Sequence, residues 1–261
     1  MKVANRWDLT LRLVQGAGRV SVAELAGRLG VSEMTVRRDL DELERQGLVR
    51  RVHGGAVATR SREEEAGFTA REGWQAATKD RLGRAVADLV EPGSTVLLDA
   101  GTTTVHVAGH LAARGPLTVA VLSLQAAVRL ADLPGIRLLV VGGQSRPGER
   151  SLVGPLAVRT MEAMAFDLFV MSIGGVHARH GWSEFSLDDA AVKQVGLTQA
   201  ARTVAVADAT KLGVRAFSQV APLGAVDTFV TDAAADDPDT HPMGPETLTA
   251  LRDAGVEIVL A

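Results

Sequence analysis

The stretch Ser21–Ala56, SVAELAGRLGVSEMTVRRDLDELERQGLVRRVHGGA, decides how this chain is to be read. Ser21 is a good N-cap, and Glu24 three residues later completes a capping box. Leu25 and Leu29 share one helical face, and Gly30 suits the left-handed residue that closes a helix. Ser32 caps a second helix, with Val31 and Val36 at the two positions of a hydrophobic staple. Val36, Leu40 and Leu43 form one apolar stripe, and Gly47 is expected to stop the helix. The stripe leaves the other face to Glu33, Met34, Thr35, Arg37 and Arg38, crowded into the first two turns. Leu48–His53 then alternates like a strand, Gly54-Gly55 offers a tight turn, and Ala56-Val57 returns as a second strand. Together they predict a small basic wing beside an arginine-bearing helix.

Any one of these features suits a solvated amphipathic helix pair. Their joint spacing favours a winged helix-turn-helix that binds double-stranded DNA. In that unit the first turns of the second helix meet base edges in the major groove. Arginine there donates two hydrogen bonds to guanine or clamps a phosphate. The candidate DNA-contacting residues are Ser21, Ser32, Glu33, Met34, Thr35, Arg37, Arg38, Arg50, Arg51, His53 and Gly54. Charge supports the assignment. Residues 1–60 carry 11 Lys and Arg against 7 Asp and Glu, a net of +4, within a chain of formal net charge −3. A polyanion is attracted to the first segment and repelled by the rest.

The string Thr35-Val36-Arg37-Arg38-Asp39-Leu40, then Leu43-Glu44, then Arg51-Val52-His53-Gly54-Gly55-Ala56, resembles the DeoR family of bacterial transcription regulators.

The chain has 261 residues, enough for two domains. An apolar content of 46% and a charged content of 23% are those of a soluble globular protein. No run of 18 apolar residues appears, so no membrane span is expected, and Met1–Arg6 lacks the apolar core of a signal peptide. With no cysteine, disulfides, thiol catalysis and thiolate metal sites are excluded. A cytoplasmic location is the default expectation. The expected division is residues 1–57 as the winged unit, 58–75 as a solvated linker, and 76–261 as an effector-sensing and oligomerisation domain. Asn5–Gln15 reads as a first helix ended by Gly16-Ala17-Gly18.

From Ala76 the pattern changes. Short apolar runs alternate with helical stretches, at Thr95–Leu98, Leu117–Leu122, Ile136–Val141, Leu168–Ile173, Thr203–Ala207, Phe229-Val230 and Val256–Leu260. Continuous apolar strands between helices imply a mostly parallel sheet covered on both faces, an α/β fold. Ligands in such sheets sit at the carboxyl ends of the strands. Here those ends carry Asp99, Ser123, Gly142-Gly143, Gly174-Gly175, Asp208 and Thr231-Asp232.

Asp99-Ala100-Gly101-Thr102-Thr103-Thr104 is the sharpest signal in the body. A glycine after a strand lets the backbone approach a ligand, and the following helix presents free N–H groups and a positive dipole end, which suit a phosphate or another anion. The threonines read equally well as plain helix caps. Lys211, after a strand end, is placed to supply a cation; Lys193, on a helix with Val192 and Val195, reads from spacing as solvated. His106 and His110 lie four apart without an evident carboxylate partner and read as a solvated pair, so no metal is expected. The acidic loop at 232–242 reads as a disordered surface excursion.

The body extends the resemblance over nearly the whole chain. Asp99-x-Gly101-Thr102-Thr103, Gly142-Gly143, Gly154-Pro155, Gly174-Gly175-Val176, Lys193, Asp208-x-x-Lys211 and Thr231-Asp232 are similar in kind and order to the effector domain of the same family. The resemblance implies a fold like ribose-5-phosphate isomerase and CoA-transferases. It implies a small phosphorylated sugar or related anionic metabolite as effector, no cofactor, and a homodimer or homotetramer that represses genes of carbohydrate metabolism. The implied effector residues are Asp99, Gly101, Thr102, Thr103, Thr104, Ser123, Gly142, Gly143, Gly174, Gly175, Lys193, Asp208 and Lys211. Leu122 stands where the family usually shows Asn, and Thr210 where Ser is usual. Two other functions compete: an isomerase-like enzyme with Asp99 as base, and an architectural DNA-binding protein without an effector.

Overall fold

The computed structural model describes residues 6–7, 9–11, 13–14, 19–45, 48–58 and 67–261. The expected helix stops at Gly16–Gly18 and Gly47, and the polar run at 59–66, lie outside these residues.

The described residues between 6 and 14 are helical (α1). After them come β1 (Arg19–Ser21), α2 (Val22–Leu29), α3 (Glu33–Arg45), β2 (Val49–Val52) and β3 (Gly55–Ala58). The helix-turn-helix forms as its capping chemistry dictates. Ser21 Oγ accepts the Glu24 N–H at 3.1 Å, and Ser32 Oγ accepts that of Thr35 at 3.2 Å. Gly30 closes α2 with φ 64°. Leu11, Val20, Leu25, Val36, Leu40 and Leu43 meet in one core. Asp39 is buried beside that stripe because it accepts hydrogen bonds from Arg6 and, at 2.7 Å, from Trp7 Nε1, tying α1 to α3.

The wing differs from expectation by one residue. Its turn is His53-Gly54, and Gly55 already pairs with Val52 in the antiparallel ladder. The cause is β1, a three-residue strand too short to show a period, which pairs Ser21 with Gly55. A side chain at 55 has no room: a Cβ there would lie 2.2 Å from the Val20 carbonyl oxygen.

The solvated tether expected over 58–75 does not describe its last part. Phe68–Glu72 is a helix (α4), and Phe68 is fully buried with the Arg150 guanidinium 5.3 Å from its ring centre. A short break at Gly73–Gln75 leads to α5 (Ala76–Asp88).

The remaining elements are β4 (Thr95–Leu98), α6 (Thr102–Leu111), β5 (Leu117–Val121), α7 (Leu124–Leu130), β6 (Ile136–Val140), β7 (Gln144–Ser145), β8 (Leu152–Val153), α8 (Pro155–Glu162), β9 (Phe166–Met171), β10 (Gly175–His177), β11 (Gly181–Glu184), α9 (Leu187–Gln199), β12 (Ala200–Val206), β13 (Ser218–Ala221), β14 (Thr228–Thr231), α10 (Gly244–Asp253) and β15 (Glu257–Leu260). All seven expected apolar runs enter one seven-stranded sheet, in the order β15-β14-β12-β9-β4-β5-β6. Every pairing in it is parallel. Alternate strand residues serve two cores. Val96 and Leu98 pack with α5, α6 and α7, whereas Leu97 packs with α8, α9 and α10. Strand order reverses between β4 and β9, so the fold has its topological switch point there.

Two smaller sheets were not legible: the β7–β8 hairpin and the antiparallel β10-β11-β13 sheet. Their strands have two to four residues, and β11 is buried throughout, so no alternation marks it. The 232–242 loop is not an unstructured excursion either. Ala233–Asp236 forms a 3-10 turn with Ala235 buried, and Asp232 Oδ1 accepts the Ala209 N–H at 2.7 Å. Among the described residues no helix is long and apolar enough to cross a membrane.

Gly55→Ala is expected to destabilise the N-terminal unit by about 1–3 kcal/mol, the usual cost of overpacking. Thermal unfolding followed by circular dichroism checks this; an unchanged transition would show that β1 does not pack on β3 in solution.

Candidate functional site

Two sets of side chains converge, one on each part of the chain. The first surrounds the switch point. Asp99 follows β4, and Ser172 follows β9. Asp99 Oδ2 accepts the Ser172 N–H at 2.9 Å, and Oδ1 accepts the Ala100 N–H at 2.8 Å. Lys193, from the middle of α9, reaches under the strand ends with Nζ 2.5 Å from Asp99 Oδ2 and 3.3 Å from Glu184 Oε1. Glu184 in turn accepts the Gly174 N–H at 2.9 Å.

Lys193 is therefore not the solvated residue its spacing suggested; it is 2% exposed. Burial works against its charge, but the carboxylates of Asp99, Glu184 and Asp189 outweigh burial and raise its pKa above the ordinary lysine range. A raised pKa means that the charged form, and the stability it brings, persists throughout neutral pH and is lost only in strong alkali.

Above this buried cluster lies a narrow pocket. Gly101, Thr102 and Thr103 line it from the start of α6, Gly174 from the loop between β9 and β10, Asp208 and Lys211 from the turn after β12, and Lys193 from below. Asp208 and Lys211 are both buried, and Lys211 Nζ stands 5.8 Å from the centre of the Phe185 ring. Gly101 is the N-cap of α6 and offers no side-chain cap. The first N–H groups of that helix therefore have no side-chain cap, and Gly101, Thr102 and Thr103 at its start line the pocket. A Cβ at Gly174 would come within 2.8 Å of Glu184 Oε2 and of the Phe185 ring, so a side chain there would displace one of them.

Other expected residues stand outside the pocket wall. Thr104 is buried and donates to the Gly101 carbonyl at 3.0 Å. Ser123 caps α7 by accepting the Ala126 N–H at 3.2 Å. Gly142 and Gly143 turn the chain with φ 82° and 108°, and Gly175 lies against Val214. Asp99 lies directly beneath, reaching the pocket through Lys193 and Ser172. Leu122 is fully buried in the core, which gives an apolar role to the position where an amide is usual.

The structure adds residues that the sequence reading did not place in the pocket. Arg71 and Trp74 come from the segment read as linker, Lys79 from α5, and Arg146, Glu149 and Ser151 from the unforeseen hairpin region. Arg71 pairs with Glu149, and Arg146 with Asp189 at 2.9 Å. Lys79 Nζ donates to the Arg71 carbonyl at 2.5 Å. The Ser151 hydroxyl is buried without a hydrogen-bond partner. In sequence these residues carried no shared period or motif.

The second set is the arginine helix. Glu33, Met34, Arg37, Arg38 and Arg50 are exposed, as are Ser21, Ser32, His53 and Gly54, while Thr35 is half-buried. Met34 is 62% exposed. Arg37 forms an ion pair with Glu33 at 3.0 Å. Arg51 is placed otherwise. It donates to the Arg37 carbonyl at 3.1 Å and pairs with Asp41 at 2.7 Å, so it fastens the wing to α3.

His106 and His110 are not a solvated pair. Both are mostly buried against Asp80, which lies 2.9 Å from His110 and 3.7 Å from His106. Burial holds the His106 pKa below the usual imidazole value. Among the described residues no group of three such side chains is arranged to hold a metal ion.

A winged helix-turn-helix joined to an α/β body with a buried polar pocket defines a DNA-binding transcription regulator with a sensor domain. Residues 6–62 match the DeoR-like helix-turn-helix domain, and residues 74–233 match the DeoR C-terminal sensor domain. The chain belongs to the DeoR family. It is 35% identical to the HTH-type transcriptional regulator GlpR of Haloferax volcanii, over 99% of this chain and 98% of that one. It is 33% identical to the transcriptional repressor CsqR of Escherichia coli, covering 98% and 94%. It is 30% identical to the glycerol-3-phosphate regulon repressor of Escherichia coli, covering 89% and 92%. Among solved structures, ribose 5-phosphate isomerase A of Methanocaldococcus jannaschii aligns with a TM-score of 0.39 at 14% identity, over 52% of this chain and 54% of that one.

Lys193→Ala would leave Asp99 and Glu184 buried without their counter-charge. A loss of about 3–5 kcal/mol is expected in urea unfolding. A loss below about 1 kcal/mol would mean that water reaches the cluster.

Proposed function

We propose that this protein is a repressor of sugar or carbohydrate metabolism genes whose operator affinity is set by a phosphorylated sugar or a related anionic metabolite. The observation that carries the proposal is the pocket at the switch point. It combines the uncapped N-terminus of α6 with Lys211 and Lys79 and with the cationic side chains of Lys193, Arg71 and Arg146, which are paired with carboxylates of the same wall. Free N–H groups at a helix start favour a phosphate, and a lysine adds a charge-assisted hydrogen bond. Thr102, Thr103 and the unpartnered Ser151 hydroxyl suit the rest of a polyhydroxylated molecule. The names of two relatives, the glycerol-3-phosphate regulon repressor and the aga operon repressor of Escherichia coli O157:H7, support the same class of regulated gene.

On this proposal Asp99, Gly101, Thr102, Thr103, Lys193, Asp208 and Lys211 form the effector site, with Thr104, Ser123, Gly142, Gly143, Gly174 and Gly175 shaping its loops. Glu33, Met34, Thr35, Arg37 and Arg38 meet the bases, and Ser21, Ser32, Arg50, His53 and Gly54 lie along the backbone. The working form is a cytoplasmic homodimer or homotetramer on repeated half-sites. The winged unit spans residues 1–57, and the sensor starts near residue 76.

An isomerase would need a carboxylate free to take a proton from carbon. Asp99 is committed to Lys193, Ser172 and the Ala100 N–H, which favours a sensor.

A thermal-shift screen against phosphorylated sugars and polyols tests the proposal. A ligand at about a hundred times its dissociation constant stabilises the native state by about 2.7 kcal/mol. No shift with any of them would leave an architectural DNA-binding protein as the better description. Lys211→Ala is expected to weaken effector binding roughly 10- to 100-fold, the worth of a hydrogen bond to a charged group, with DNA affinity kept. Unchanged induction in a reporter strain would contradict the role of Lys211. Arg37→Ala is expected to lower operator affinity by about 1–3 kcal/mol with the fold intact, measured by fluorescence anisotropy. A variant that binds DNA normally would remove Arg37 from the interface.

A further inference from the structure

One side chain belongs both to the pocket and to the core of the DNA-binding unit. Trp74 lines the pocket together with Thr102, Lys193 and Lys211. The same indole packs against the N-terminal core, in a groove that Leu11, Leu43 and Leu48 line from the other side. The turn after β12 shares this partition, because Asp208 and Lys211 face the pocket while Ala209 and Thr210 face the groove. Among the described residues of the partition, Trp74 is the one packed on the core that holds α3 in place.

Its backbone setting is a break between two helices that is held by side chains of the pocket wall. Trp74 sits in the break between α4 and α5, with its N–H on the Arg71 carbonyl at 3.2 Å. The next residue, Gln75, is left-handed at φ 53° and ψ 34°, a conformation that side chains other than glycine and asparagine adopt reluctantly. The break is held from the pocket side at both ends. Arg71 pairs with Glu149, and Lys79 Nζ grips the Arg71 carbonyl, so the groups facing a ligand are the ones that fix the hinge.

We propose that Trp74 is the positioning residue that transmits occupancy of the pocket to the DNA-binding helix. A ligand that fills the pocket presses on one side of the indole, and the other side sets the seat of α1 and the end of α3. An aromatic ring is large and rigid enough to serve both contacts. Coupling of this kind requires a side chain with two packed arrangements that both sites bias. This inference rests on the sugar-phosphate reading of the pocket.

The test uses the full-length protein and a DNA duplex selected by it from a random library. The probes are glycerol 3-phosphate and a set of hexose 6-phosphates. The quantity measured is the ratio of the DNA dissociation constants with and without saturating probe, with saturation verified by calorimetry for each variant. For the wild type a ratio of about 5–150, in either direction, is expected, as for other allosteric pairs. Trp74→Ala is expected to bring the ratio within twofold of unity, and Trp74→Phe, which keeps a flat ring, to restore much of it. A residue with a merely structural role would change both dissociation constants together and leave the ratio alone. Trp74→Leu keeps apolar bulk and carries the test should the alanine variant not fold; it is expected to lose the ratio as well. A wild-type ratio in folded Trp74→Ala or Trp74→Leu overturns the inference while leaving the effector site standing. A wild-type protein whose DNA affinity responds to none of the probes overturns the sugar-phosphate reading and this coupling with it.

Discussion

The buried ammonium of Lys193 ties the strand ends of the sensor domain together. Lys193 sits beneath the strand ends with Asp99 at 2.5 Å and Glu184 at 3.3 Å. Removing an ammonium from water costs several kcal/mol, and only close, well-oriented carboxylates offset it. That requirement fixes three separate chain segments to one another: the end of β4, the end of β11 and the middle of α9. It also fixes the floor of the pocket. Once Asp99 is committed to the lysine and to Ser172, the loop from Ala100 to Gly101 has to leave the sheet at that point. The N-terminus of α6 is then delivered to the pocket with its N–H groups uncapped.

The sheet makes this arrangement possible. Because strand order reverses between β4 and β9, the two loops diverge and leave a crevice between them. Hairpin and linker residues close the crevice, through Arg71 with Glu149 and Arg146 with Asp189. The segment that closes the pocket is thus the one that leads to the winged unit. On the DNA side a similar economy holds. Asp39, inside the string of residues that resembles the family, anchors α1, and Arg51 anchors the wing, so the face of α3 that carries Arg37 and Arg38 is presented by its neighbours.

Much of this was legible in the sequence, for identifiable reasons. The helix-turn-helix announced itself through capping residues and an apolar stripe, both local signals. The seven strands were legible because parallel strands buried on both faces become unbroken apolar runs. The DeoR family followed from motif strings in a fixed order. What remained hidden depends on contacts between distant residues. Lys193 and Asp99 are 94 residues apart, and neither has a neighbour in sequence that betrays the pair. Ser151 and Glu149 lie in a hairpin whose strands have only two residues each. Arg71 and Trp74 sat in a polar stretch whose composition suggested a tether, and Asp80 became a partner of His110 only when α5 packed on α6. The turn at His53-Gly54 was displaced by a strand of three residues, below the length at which a period can be read.

A crystal structure with a sugar or polyol phosphate that raises the melting temperature tests most directly whether the pocket at the β4–β9 switch point receives a phosphorylated ligand on the N-terminus of α6. The phosphate is expected within hydrogen-bond distance of the Thr102 and Thr103 N–H groups and of Lys211 Nζ. A ligand seated elsewhere, with the start of α6 still facing only solvent, would contradict it.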